Sequence, residues 1–328
     1  MRDTLNDMQL YLVDEYVEDY QEGHLTRREA LRRIAAVTGS VAFATSVLAA
    51  CGTTEPSATP APSTPPATSP TAPSAAPSST PAAPTGPDPA VHVRPDDPAI
   101  TAGVVTFPGE GATLTAYLAR PRNGRRQPLI LVCHENRGLT PHIEDVTRRV
   151  AKAGYVGLAV DLLSRSGGTA AVTAQGQVPQ VLGQLPPEQA VQDFQAGLRY
   201  AQGQSFVDGA RVGMTGFCYG GGVTWRVATR TPELRAAVPF YGPPPRAEEV
   251  PGIRAAVLAI YGETDQRINA MIPDIEAAMQ ANGKVFEKVI YPGVGHGFHN
   301  DTGRNYNAEA ARAAWARTLA WFERYVQG

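Results

Sequence analysis

Over residues 129–132 the chain is continuously apolar, as in a strand covered on both faces, and 156–160 repeats the pattern. The apolar spacing between them predicts a helix over 143–153, and helical periodicity returns over 189–200, 221–229, 272–281 and 308–326. Short apolar runs over 212–215, 256–261 and 285–290 read as further strands. Ahead of these, 104–107 and 114–118 form an opening strand pair, with Gly109 and Gly111 at the turn. Strands alternating with helices predict an α/β domain with a mostly parallel, doubly wound sheet and helices on both faces. In such sheets ligands sit beyond the carboxyl ends of the strands, so chemistry is expected on the loops that follow them. The stretch over 167–187 reads either as a lid at that edge or as a long connection.

The amino-terminal residues follow another pattern. Asp14, Glu15, Glu18, Asp19 and Glu22 make 1–25 an acidic, helical leader. Thr26-Arg27-Arg28-Glu29 then opens a basic stretch, and 34–50 is an uncharged, mostly apolar run of small residues, the arrangement of a twin-arginine export signal. The run is too short and too rich in Ala, Ser, Thr and Gly for a stable membrane-spanning helix, which needs about 20 strongly apolar residues. It ends in Leu48-Ala49-Ala50-Cys51, the pattern of a bacterial lipobox, in which cleavage falls before the cysteine and its thiol is lipidated. Residues 1–50 are therefore expected to be an export signal with an acidic leader. The mature chain would be a cell-envelope lipoprotein, on the outer face of the cytoplasmic membrane or in the periplasm. The plainer alternative is an Ala-rich helix ending at a chance cysteine, with the leader serving as a cytoplasmic interaction helix. Residues 51–90, almost wholly Pro, Ala, Ser and Thr, are expected to be a disordered, extended tether.

Composition narrows the picture further. A formal net charge of −2 over 328 residues argues against nucleic-acid binding and against membrane contact through a basic surface. Contact with a membrane is expected only through the lipid at Cys51. Residues 91–328 suffice for one catalytic domain, expected to act as a monomer, with a size near the upper range for one hydrophobic core. Cys51, Cys133 and Cys218 are isolated from one another, which excludes a disulfide scaffold and any CxxC metal or redox site.

The chemistry gathers at three loops. Gly216-Phe217-Cys218-Tyr219-Gly220 lies between a predicted strand and a predicted helix, the setting of a nucleophile elbow with Cys in place of Ser. The flanking glycines suit a tight turn, and the helix amino terminus behind it favours negative charge on sulfur. Asp265 follows the strand over 256–261, and His296, in Gly295-His296-Gly297, follows the strand over 285–290. Nucleophile, acid and base thus occur in the chain order of α/β-hydrolases, all at one sheet edge. Cys133 reads as a buried small hydrophobe, His134 and His299 as residues flanking the pocket, and Trp315 and Trp321 as packing residues.

Together these motifs resemble the dienelactone hydrolase family over 100–326, which implies an α/β-hydrolase fold and hydrolysis through a Cys-Asp-His triad. In Cys133-His134-Glu135-Asn136-Arg137-Gly138, the resemblance makes Glu135 the contact of the resting thiol. It makes the backbone N–H groups of Asn136 and Tyr219 the oxyanion hole. Asp161-Leu162-Leu163-Ser164-Arg165 matches a further family segment, which makes Arg165 the ligand of a substrate carboxylate. The family's second carboxylate-binding arginine is replaced by Asn300, and spacing gives no support for Arg304 in its stead.

The function expected is cleavage of a small-molecule ester, thioester or enol-lactone through a covalent acyl-enzyme, with no metal and no organic cofactor. Two alternatives use the same cleft: a surface-tethered ligand-binding protein without turnover, and an acyltransferase passing the acyl group to an acceptor other than water.

Overall fold

The computed structural model describes residues 2–50 and 91–328. Cys51, with the expected lipidation, and the 51–90 tether lie outside the described residues.

One eight-stranded sheet organises the domain. Its strands are β1 (Ile100–Gly109), β2 (Ala112–Pro121), β3 (Gln127–Cys133), β4 (Val156–Val160), β5 (Val207–Phe217), β6 (Leu234–Phe240), β7 (Ala256–Gly262) and β8 (Phe286–Tyr291). They run in the order β1-β2-β4-β3-β5-β6-β7-β8. The β1–β2 hairpin and the β2–β4 pairing are antiparallel, and every other pairing is parallel. β4 and β7 are buried at every residue, as their unbroken apolar runs require. β6 was not anticipated: its Ala236-Ala237-Val238-Pro239 core carries too little bulk to stand out beside the longer runs.

The helices are α1 (Asp7–Gln21), α2 (Arg27–Thr38), α3 (Val41–Ala50), α4 (Pro141–Lys152), α5 (Thr169–Ala174), α6 (Val178–Gln184), α7 (Pro187–Gln202), α8 (Tyr219–Arg230), α9 (Gln266–Asn269), α10 (Ile272–Ala281) and α11 (Ala308–Phe322). Two glycines show how they divide between the faces. A Cβ on Gly157 would stand 2.8 Å from Thr147 of α4, whereas one on Gly197 of α7 would meet Val160 at 3.0 Å and Leu158 at 3.3 Å. Residues 157 and 158 point to opposite faces of a strand, so α4 and α7 cover opposite sides. Gly157 pairs with Ile130, and both Ile130 and Phe322 of α11 crowd Gly213, which puts α11 on the α4 side.

The leader is a folded element of this assembly. α1 begins at a capping box, in which Asn6 and Gln9 satisfy each other's backbone N–H groups. Met8, Tyr11, Leu12, Glu15 and Tyr16 then recur at helical spacing and are all buried. The 167–187 stretch folds as α5 and α6, and Val37 of α2 packs so closely on α6 that a Cβ on Gly183 would approach the Val37 Cα to 2.9 Å. Met8 lies against α8 at Gly222. These contacts lay α1 across the carboxyl edge of the sheet. Among the described residues, no helix is long and apolar enough to cross a membrane.

Candidate active site

β5 ends at Phe217, α8 begins at Tyr219, and Cys218 makes the corner with φ 59° and ψ −121°. A non-glycine residue held there stores on the order of 1–3 kcal/mol of strain. The glycines on either side have no alternative. A Cβ on Gly216 would lie 2.2 Å from the Gly220 carbonyl oxygen, and one on Gly220 would lie 2.4 Å from that of His134. The Cys218 N–H donates to the Phe240 carbonyl at 3.1 Å, tying the corner to β6.

His296 and Asp265 approach from the loops after β8 and β7. Nδ1 of His296 is 2.7 Å from Asp265 Oδ2, which places the imidazole hydrogen on Nδ1 and turns Nε2 toward the thiol. Asp265 is itself anchored, because Oδ1 accepts the Ile268 N–H at 3.2 Å. Gly262 allows the two loops to meet: a Cβ there would stand 2.6 Å from the Val294 carbonyl oxygen. Burial alone would raise the Asp265 pKa, but the facing His296 charge holds it below the usual carboxylate range.

The carboxylate on the thiol comes from the leader. Sγ of Cys218 donates to Glu15 Oε1 at 3.1 Å, and Tyr11 Oη, one helical turn earlier, lies 3.3 Å from both Sγ and His296 Nε2. Asn136 Nδ2 donates to Glu15 Oε1 at 3.0 Å, and Arg267 Nη2 donates to Oε2 at 3.1 Å. Arg267 also binds Glu18 and lies over the Tyr11 ring. Burial, reinforced by the Glu15 charge and opposed by His296, pushes the Cys218 thiol up to about 11. Burial disfavours the charged form of His296, yet Glu15 and Asp265 together raise its pKa well above the ordinary value. Glu15 is buried but held below the usual carboxylate range by His296 and Arg267.

Two of the expected residues make other contacts here. Glu135, expected on the thiol, accepts from Asn300 Nδ2 at 2.6 Å, and the hydrogen-bond acceptor of Sγ is Glu15 instead. Arg165, expected to hold a substrate carboxylate, is gripped by both oxygens of Asp193, at 2.7 and 3.2 Å, and donates to the Glu110 carbonyl at 2.7 Å. It is not among the residues lining the cavity of about 330 Å³ at Cys218, which include Glu135, Asn136, His296, Asn300 and Arg304. Arg304, for which spacing gave no support, is therefore at the site.

Tyr219 is buried as the first residue of α8, adjoining the thiol in sequence. His134 is a fully buried tie, with Nδ1 bonded to the Glu135 carbonyl and Nε2 accepting the Leu162 N–H. His299 stacks on Phe217, away from the cavity lining. Cys133 is buried, and burial raises its thiol pKa. Trp321 donates to the Ala256 carbonyl, and Trp315 packs near His299.

Tyr11, Glu15 and Arg267 are the site residues that sequence reasoning missed. The sign of the first two was the apolar stripe of α1 interrupted at position 15 by a carboxylate on the buried side. Glu15, Cys218 and His296 each offer an atom within 4.8 Å of the others, a spacing a divalent ion could bridge. Direct hydrogen bonds join the group, and Arg267 supplies the cation facing Glu15.

A doubly wound sheet with a strained cysteine corner at its carboxyl edge, faced by a carboxylate-held imidazole from two further loops, defines the chain as an α/β-hydrolase. The family model of the dienelactone hydrolase family matches residues 114–326, and the chain belongs to that family. A relative from Methylorubrum extorquens that carries the name carboxymethylenebutenolidase is 37% identical over 245 residues, covering 71% of this chain and 84% of that protein. One of the same name from Escherichia coli K12 is 32% identical over 249 residues, covering 71% and 90%. A crystal structure titled as a dienelactone hydrolase of Klebsiella pneumoniae superposes with a TM-score of 0.65 at 32% identity, covering 69% of this chain and all of that one. The match begins in β2, so the leader lies outside it.

Proposed function

We propose that this dienelactone hydrolase-like hydrolase cleaves an ester, thioester or enol-lactone with Cys218 as nucleophile, His296 as base and Asp265 as the group that fixes the His296 tautomer. The observation that carries the proposal is the strained Cys218 corner facing an imidazole whose Nδ1 is held by Asp265 at 2.7 Å. The Cys218 proton passes to His296 Nε2 as sulfur adds to the substrate carbonyl carbon. The backbone N–H groups of Asn136 and Tyr219 hold the resulting oxyanion. Collapse expels the alcohol or thiol, which takes the proton from His296 and leaves an acyl group on sulfur. Water, deprotonated by His296, then attacks that acyl carbon. The acid is released, and the proton returns to sulfur. Export and lipidation at Cys51 belong to the same proposal, and Arg27 and Arg28 are exposed at the start of α2.

The test is turnover of an activated short acyl ester, such as p-nitrophenyl butyrate, by the full chain and by a Glu15→Ala variant in which the leader carboxylate no longer covers the thiol. Cys218→Ala should abolish turnover in both, and Glu15→Ala with Cys218 intact should yield an acylated Cys218 peptide on rapid quenching. Undiminished turnover by Cys218→Ala would overturn the assignment. For the address, the mass of the chain recovered from cells should correspond to a lipidated species beginning at Cys51.

A further inference from the structure

We propose that α1 is an internal ligand of the catalytic cleft, with the Glu15 carboxylate seated on Cys218 where the carboxylate product of hydrolysis would sit, so that the chain is latent until the helix lifts away. The identity of the product rests on the hydrolase reading above; the occlusion does not.

A carboxylate this deeply buried is stable only when its lone pairs are met. Those of Glu15 are met by the site's own groups, since Oε1 takes the Cys218 thiol and Asn136 Nδ2 while Oε2 faces Arg267 and, at 3.5 Å, His296 Nε2. One oxygen is thus on the Asn136 side and the other on the side of the base, the disposition of an acid about to leave an acyl-enzyme site. Tyr11 stands beside sulfur and imidazole, its hydroxyl 3.3 Å from each. Charge complementarity clamps the helix at two further points: Arg267 binds Glu18 at 2.9 Å, and Arg246 binds Asp7 at 2.7 and 3.1 Å.

The docked helix also leaves the reacting groups in unproductive states. Facing Glu15, the imidazole is stabilised as the cation and has no lone pair for the thiol proton, while the same carboxylate disfavours a thiolate. Withdrawing Glu15 removes both effects and leaves the Asp265–His296 pair in place. In the export reading, cleavage before Cys51 discards α1 together with the signal and so unmasks the enzyme where it is to act.

Iodoacetamide labelling of the full chain, read peptide by peptide, tests this without depending on turnover. Glu15→Ala and Glu15→Gln should label Cys218 about tenfold faster or more than the parent, as expected for loss of charge-assisted hydrogen bonds that hold the lid. Butyrate should slow labelling in Glu15→Ala and leave the parent unaffected, because only the variant has a vacant carboxylate site. Asp14→Ala, which removes only a pairing with Arg2 inside the leader, should behave as the parent. Buried Cys133 monitors integrity: if it labels together with Cys218 in Glu15→Ala, the isosteric Glu15→Gln decides. Variants that label Cys218 no faster than the parent would overturn the proposal, as would hydrolysis that falls while labelling stays constant, since Glu15 would then be working machinery. Faster labelling with no hydrolysis of any ester would refute the hydrolase reading and leave the occlusion standing.

Discussion

Asn300 donates to Glu135 across 2.6 Å, so the family-matched carboxylate is engaged beside the thiol rather than on it. Both Glu15 and Glu135 raise the thiol pKa by like-charge repulsion, Glu15 the more strongly. The two predict different pH profiles. Alkylation of Cys218 in the parent should keep rising through pH 9 toward a midpoint of about 11, because a raised thiol pKa keeps the thiolate scarce at neutral pH. Glu15→Gln should bring the midpoint down by more than Glu135→Gln does. A pH series of peptide-resolved labelling rates checks the order, and a larger shift from Glu135→Gln would restore Glu135 as the principal contact.

Asp265→Asn tests how the imidazole is held. The amide can still accept the Ile268 N–H and retain α9, but it can also donate toward Nδ1, which moves the imidazole hydrogen to Nε2, where it opposes the thiol proton. The corresponding change in a serine triad costs about 10⁴-fold in turnover, and a loss of that order is expected here with thermal stability nearly unchanged. Circular dichroism melting alongside ester turnover, both in the Glu15→Ala background, separates the two.

A second buried ion cluster lies behind the site and is predicted to govern acid stability. Asp301 accepts from His142 at 2.7 Å and from Arg149 at 2.6 Å, and Arg149 also binds Asp145. Burial works against ionised Asp301, yet the His142 hydrogen bond and the Arg149 charge hold its carboxyl well below the usual range. Its stabilising contribution is therefore full above the unfolded carboxyl pKa near 3.9 and is lost as pH falls below it toward the folded value. Asp301→Ala should cost about 1–3 kcal/mol at neutral pH, because His142 loses its acceptor while Arg149 keeps Asp145. Asp301→Asn should flatten the fall in stability below about pH 4, measured by urea titration at a series of pH values.

The carboxyl edge of the sheet was legible because its information is local. An apolar run such as 129–132 has one way to be buried on both sides, and Gly216 reflects a steric need within five residues of chain, against the Gly220 carbonyl. β6 was not legible, since Ala and Pro in its middle lack the bulk that marks a buried strand. The place of the leader was not legible for a different reason. Its buried stripe can be read from Met8, Leu12 and Tyr16, but which surface it covers depends on Arg267 and Arg246, more than 200 positions away in sequence. The contact of Glu135 was not legible because a motif specifies which loop a residue belongs to, while the hydrogen bond it makes depends on Asn300, brought in from the other end of the domain.

Arg165 supplies the last prediction, because the motif that singled it out and the contacts it makes disagree. Both oxygens of Asp193, itself buried on α7, and the Glu110 carbonyl at the β1–β2 turn already engage its guanidinium, so binding a substrate carboxylate there would mean breaking a bidentate pair. Arg165→Ala should leave the ratio of kcat/KM for anionic over neutral esters unchanged, while lowering stability by about 1–3 kcal/mol, since buried Asp193 keeps, among the described residues, only the Gln189 amide as donor. Arg267→Ala should lower that ratio when measured in the Glu15→Ala background, where the cleft is open, because its guanidinium is the one that meets a carboxylate beside the thiol. A reversed result, with selectivity lost at 165 and kept at 267, would mean that the 161–165 loop rearranges when substrate binds.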